Sequence, residues 1–105
     1  MATYLLSPQA ADDLEAIFEY TLARWGEEQF ERYRRALTKT LEAVAADPLL
    51  PGSKARDDLL PGCRFYRVEH HYLVYRSGEH GIEVGRILHE RMDFELRVGG
   101  GGFDD

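Results

Sequence analysis

The chain contains a single cysteine, Cys63, and that scarcity removes several chemistries at once. One thiol forms no internal disulfide, completes no Cys-X-X-Cys redox pair and supplies no thiolate zinc site, so Cys63 reads as a small loop or strand residue. Lysine is nearly as scarce: Lys39 and Lys54 are the only two, and no tyrosine follows Tyr75. No apolar stretch approaches the roughly 20 residues of a membrane-spanning helix. Met1-Ala2-Thr3-Tyr4 lacks the basic start and apolar run of a secretory signal, so a cytoplasmic location is expected. His70 and His71 are adjacent and would point to opposite sides of a strand, and His80 falls in a turn, so no metal and no other cofactor is expected. Gly78-x-x-Gly81 is too short for a phosphate loop, and no serine or cysteine stands at a recognisable spacing from a base.

What is present is the composition of one small globular domain, with apolar residues spread along the 105 positions. The net charge of −6 is unevenly distributed. Pro8 to Asp47 carries nine acidic and five basic residues, Pro48 to Met92 six and seven, and the last thirteen residues add a further net −3. Nucleic-acid affinity is built largely from clustered cations that displace counterions, so direct nucleic-acid binding is not expected.

Thr3 to Leu6 is a short β-compatible segment. Ser7 is a good N-cap and Pro8 suits the first helical position, while Asp12 and Asp13 are expected to place negative charge near the helix N-terminus. Leu14, Ile17, Phe18, Thr21 and Trp25 then recur at helical spacing until Gly26 offers a helix-ending conformation. A second helix is predicted from about Glu27 to Ala46, with Phe30, Tyr33, Leu37, Leu41 and Val44 on one face; Asp47-Pro48 stops it. Leu49 to Gly62 reads as a loop. The pattern then changes to period two, predicting strands at Arg64–Val68, Tyr72–Arg76 and Ile82–His89, joined by turns near Glu69-His70 and Ser77 to Gly81. The middle strand is apolar at both parities and needs cover on both faces. The helical hairpin supplies one cover, leaving the other to a loop, the C-terminal segment or another chain.

This order resembles the RelE/ParE toxin superfamily, and several motifs resemble its ParE branch. Ser7-Pro8-Gln9-Ala10-Ala11-Asp12-Asp13-Leu14-Glu15-Ala16-Ile17 is similar to the opening signature, Tyr20 with Arg24-Trp25-Gly26 to the end of the first helix, and Asp47-Pro48 to the end of the second. Arg67-Val68-Glu69-His70-His71-Tyr72-Leu73-Val74-Tyr75-Arg76 resembles the central hairpin. The most specific match is Arg86-Ile87-Leu88-His89-Glu90-Arg91-Met92-Asp93. Gly85 departs from the pattern by standing where a branched aliphatic is usual, which predicts a bulge or a close backbone approach. Glu69-His70 departs too, in a turn that often contains glycine. The Gly-rich tail is a third departure, in the region implicated in toxicity.

The resemblance implies an α+β fold: an antiparallel sheet in β-α-α-β-β-β order with an N-terminal two-helix hairpin packed on one face. Residues 1–98 are read as the RelE/ParE-like domain and residues 99–105 as a flexible tail. It also implies a type II toxin that inhibits DNA gyrase, is neutralised by a ParD-type antitoxin in a hetero-oligomer, and performs no catalysis. Arg86, His89, Arg91 and Asp93 are the candidates for a functional C-terminal region, and Trp25, Arg67, His71 and Tyr75 for partner contacts. Two other readings remain. A RelE-like ribosome-dependent mRNA endonuclease would have to build its site from Arg64, Arg67, Arg86, His89 and Glu90, because the usual lysines and late tyrosine are missing. The other is a non-toxic module that binds antitoxin. The bland reading of Arg86 is an ion pair with Asp93, and that of His89 a hydrogen-bonded histidine at the sheet end.

Overall fold

A computed structural model describes residues 3–91. The elements are β1 (Thr3–Leu6), α1 (Pro8–Trp25), α2 (Glu27–Ala46), β2 (Lys54–Ala55), β3 (Arg64–Val68), β4 (His71–Ser77) and β5 (Gly81–His89). Ser7 Oγ caps α1 by accepting the Ala10 N–H at 3.0 Å, and the same hydroxyl donates to the Gly85 carbonyl at 2.7 Å. One side chain thus ties the start of the helix to the middle of β5. Gly26, at φ 90°, ends α1 through its N–H on Leu22 O and allows α2 to start at the next residue. Asp12 and Asp13 lie beyond the first turn of α1, so neither serves the helix N-terminus as expected.

The five strands form one sheet in the order β1-β5-β4-β3-β2. β3, β4 and β5 are the expected antiparallel meander. β1 pairs parallel with β5, Thr3 opposite Gly81 and Leu6 opposite Val84, so the sheet is mixed where an antiparallel one was expected. The reason is connectivity: only strands joined by a tight turn are forced antiparallel, and β1 is separated from β5 by both helices. Lys54–Ala55, expected to be loop, adds a two-residue edge strand against Phe65 and Arg64.

Gly85 is a bulge. Val74 faces Arg86 and Tyr75 faces Val84, which leaves Gly85 as the extra residue. Gly81 answers a different need, since a Cβ there would overlap the Thr3 carbonyl where β1 docks.

Two apolar layers sandwich the sheet. Leu37, Leu41, Val44 and Ala45 of α2 and Ala10 of α1 pack on Leu73, Tyr75, Ile82, Val84 and Ile87. On the opposite face Val74 and Leu88 are covered by Leu59 and Cys63, flanked by Leu60 and Phe65. Among the described residues the loop from Arg56 to Cys63 therefore provides the second cover that β4 requires. Burial pushes the Cys63 thiol up to about 11, in keeping with a packing role.

Candidate functional site

β5 is longer than β1. Its register with β1 ends at Val84, and beyond the bulge Gly85 to His89 run on with β4 on one side only among the described residues. α1 crosses beside this stretch and provides two partial substitutes for a strand. Ser7 satisfies the Gly85 carbonyl, and Asp13 Oδ2 accepts the Ile87 N–H at 2.9 Å. The strand alternation that turns Ile87 N–H toward α1 turns the His89 backbone to the same side.

Asp13 also receives Arg86 in a two-pronged pair, Nε to Oδ2 at 2.8 Å and Nη2 to Oδ1 at 2.9 Å, with both side chains only 15% exposed. This carboxylate hydrogen bond raises the Arg86 pKa above its ordinary value. Arg86 was paired with Asp93 in the sequence reading; Asp93 lies outside the described residues, and the described partner of Arg86 is Asp13.

Between α1 and this half of β5 is a groove of about 500 Å³. Its floor is Ala16, Ile17, Thr21 and Ile87, and Tyr20 and Trp25 stand along its rim at 64% and 61% exposure. Arg24 lies 5.2 Å over the Trp25 ring, which steadies an otherwise exposed indole. The far end is made by Tyr33, His70, His71 and His89. His71 and His89 meet edge to face at 5.2 Å between ring centres, and His70 lies near-parallel to His89 at 6.5 Å.

Each imidazole is held by a different partner. His71 Nδ1 is hydrogen-bonded to the Tyr33 hydroxyl at 2.7 Å; burial, reinforced by the neighbouring histidines, pushes its pKa down to about 4. Burial likewise raises the Tyr33 pKa, so both members of the pair are neutral at pH 7. His89 Nδ1 accepts the Arg91 N–H at 3.2 Å. His70 Nδ1 lies 2.9 Å from Glu90, whose other oxygen receives Arg67 at 2.7 Å; the His70 contact is the main cause of the lowered Glu90 pKa.

Of the residues picked from sequence, Trp25, His71 and His89 line one groove, and Arg67 and Arg91 stand at its histidine end. Tyr75 does not join them. It is fully buried, its hydroxyl donating to Pro48 O at 2.6 Å and hydrogen-bonded to Ser53 Oγ, because β4 is the central strand and its helix-facing positions go to the core. That corrects its reading as a candidate partner contact. Tyr33 and Asp13 were missed. Tyr33 was read only as part of a helix stripe, and Asp13 only as a dipole charge, although its place four residues before Ile17 put it at the edge of the sheet-facing stripe.

A helical hairpin on one face of a five-stranded mixed sheet is the α+β architecture of RelE/ParE-like toxins. Two solved structures share it. The chain matches the chromosomal ParDE toxin–antitoxin system of P. aeruginosa with a TM-score of 0.68 at 20% identity, over 85% of this chain and 96% of that one. It matches the YoeB-YefM complex of Staphylococcus aureus at 0.57 and 19% identity, over 85% and 97%. Residues 4–94 match the family described as ParE toxin of the type II toxin-antitoxin system parDE. The chain is 43% identical over 96 residues to Toxin ParE1 of Mycobacterium tuberculosis (strain ATCC 25618 / H37Rv), spanning 90% of this chain and 96% of the relative. It is 38% identical over 100 residues to Toxin ParE of Escherichia coli, spanning 93% and 94%. The chain belongs to the ParE toxin family of type II toxin–antitoxin systems.

Proposed function

We propose that this toxin inhibits DNA gyrase in the cytoplasm by occupying it, without chemistry of its own, and that a ParD-type antitoxin neutralises it by docking in the groove between α1 and β5. The observation that carries the absence of chemistry is the state of the arginines. Cleaving a phosphodiester needs cations aimed at the scissile phosphate and groups poised to move protons. Here Arg86 is clasped by Asp13, Arg67 by Glu90 and the Glu69 carbonyl, and Arg64 by Ser53. His71 is half-buried and hydrogen-bonded to Tyr33.

The docking mode follows from the end of β5, which past Val84 pairs with no strand on the α1 side among the described residues. An extended segment can continue the sheet there through main-chain hydrogen bonds, and its alternate side chains would enter a groove floored by Ile17 and Ile87. Trp25 and Tyr20 on the rim are the kind of rigid aromatics that concentrate binding energy. In this reading Arg86 and Asp93 organise the C-terminal region, while His89, Arg91, Arg67 and His71 bound the partner's path. Residues 1–98 act as the toxin domain, with residues 99–105 as an appended tail.

The test is a purified supercoiling assay beside a ribosome-programmed translation reaction. Inhibition of gyrase with intact messages is the expected outcome. Cut messages would replace the proposal with an endonuclease, and the loss of both effects with retained antitoxin binding would leave a binding module only.

A further inference from the structure

We propose that the outward face of the α1–α2 hairpin pairs two copies of this chain, with α1 of each copy lying over α2 of the other. This surface is on the other side of α1 from the groove beside β5, and the inference does not rest on what fills that groove.

The argument begins with an apolar seam. Between the two helices runs a second, shallower groove of about 410 Å³, lined by Leu14, Phe18 and Leu22 of α1 and by Phe30 of α2. Phe18 and Phe30 meet edge to face at 5.4 Å between ring centres and are only partly buried, while Leu22 is 43% exposed. Single exposed apolar residues are ordinary, but a group of them gathered in one groove gains from being covered.

Charge says what covers it. Glu15 and Glu19 flank the seam on α1, each two positions on from Asp13 and Ile17 of the first groove and so about 200° round the helix from them. Both are exposed and enter no ion pair or hydrogen bond among the described residues. On α2, Arg35 and Lys39 are exposed opposite the buried Tyr33, Leu37 and Leu41, and they too enter no ion pair or hydrogen bond among the described residues. Glu31, one turn before Arg35, feels its charge but accepts its hydrogen bond from Arg34. The hairpin thus carries an acidic ridge on one helix, a basic ridge on the other and an apolar seam between them.

That pattern is complementary to itself. A two-fold axis along the seam, parallel to the helices, lays α1 over the partner's α2 at equal distance from the hairpin turn, and α2 over the partner's α1. Counted from Gly26, Glu19 and Glu15 are 7 and 11 residues away on α1, and Arg35 and Lys39 are 9 and 13 away on α2. At about 1.5 Å of rise per residue, facing charges therefore alternate in sign every ~3 Å along the contact. A two-fold axis across the helices would instead set Glu15 and Glu19 against the same residues of the partner. Asp12 and Glu42, 14 and 16 residues from Gly26, oppose one another at the far end and limit the gain. Helices of 18 and 20 residues present roughly 600 Å² per copy, short of the roughly 800 Å² of a standard stable interface. The pairing is accordingly reversible, with a dissociation constant on the order of 10–100 µM. It leaves the groove beside β5 accessible on both copies.

The experiment is sedimentation equilibrium on the full chain without antitoxin, at concentrations up to about 200 µM. The weight-average mass should climb from 12.0 kDa toward twice that value. Alone, E15K/E19K sets basic ridge on basic ridge and R35E/K39E acidic on acidic, so each should self-associate at least about tenfold more weakly. An equimolar mixture of the two restores opposite charges on both sides of the seam and should associate within about threefold of the unsubstituted chain. Trp25→Ala, altered at the rim of the groove beside β5, should pair as the unsubstituted chain does. A monomer throughout, undiminished association of either charge-reversed chain, a mixture no stronger than its components, or loss of pairing in Trp25→Ala each overturns the proposal. Should a charge-reversed chain fail to fold by circular dichroism, Leu22→Glu decides in its place. A loss of about tenfold there supports the pairing, and association at the unsubstituted strength overturns it.

Discussion

Two side chains show how much is decided at single positions. Asp13 holds the Arg86 guanidinium and the Ile87 N–H together, so removing its carboxylate takes two hydrogen bonds from a largely buried cation and strips a backbone donor of its side-chain acceptor. Asp13→Ala should cost about 2–3 kcal/mol in urea unfolding. A change below about 0.5 kcal/mol would mean the pair is dispensable. His71 makes a pH prediction whose sign follows from its depressed pKa. The folded state holds the ring neutral down to about 4, whereas the unfolded chain takes up the proton near 6.5. Stability contributed by the neutral ring is complete above pH 6.5 and is lost as pH falls from 6.5 toward 4. With allowance for solvent reaching a half-buried ring, the loss is on the order of 1–2 kcal/mol, read from urea midpoints across that range. His71→Gln should flatten this part of the curve, and an unchanged slope would assign the acid loss to other groups.

At the level of elements, the interest lies in how strands of unequal length create the site. β1 is only four residues long because Ser7 and Pro8 start a helix immediately after it, and its brevity leaves the distal half of β5 without a strand neighbour on the α1 side among the described residues. Gly81 controls whether β1 docks at all. In Gly81→Ala the added methyl overlaps the Thr3 carbonyl, so β1 should detach and the amides of residues 3–6 should lose most of their hydrogen-exchange protection, while β3 and β4 keep theirs. Retained protection in β1 would show that the edge yields to the methyl. The helices, the meander and the Gly85 bulge were legible in the sequence, because each rests on local physics: capping, apolar period and the cost of glycine in a strand. The parallel direction of β1 and the two-residue β2 were not, since both are pairings between segments far apart in the chain, and no periodicity records a distant partner.

Across the whole molecule, the sheet is shared by two apolar layers and neither can come away alone. Leu37 and Leu88 are both almost fully buried, one in the helix-facing layer and one under the loop from Arg56 to Cys63. Leu37→Ala and Leu88→Ala should each destabilise by about 2–5 kcal/mol in a single transition, reported identically by Trp25 fluorescence and far-UV circular dichroism. Separate transitions by the two probes would show that the second layer is an independently melting flap. The same closed packing gives the functional proposal its shape. Arg64, Arg67 and Arg86 are engaged internally, and past Val84 β5 pairs with no strand on the α1 side among the described residues, which is the basis of the proposed docking of an antitoxin there.

The sequence by itself determined which stretches are helix and which are strand, that one sheet face would need a second cover, and that cations for phosphodiester cleavage are scarce; all of these follow from composition and from residues near one another along the chain. Only the tertiary structure decided that Arg86 belongs to Asp13, that Tyr75 is core, and that three histidines close one end of an aromatic-rimmed groove. Those are meetings of groups up to 73 positions apart, and they exist only once the helix hairpin has been laid across the sheet.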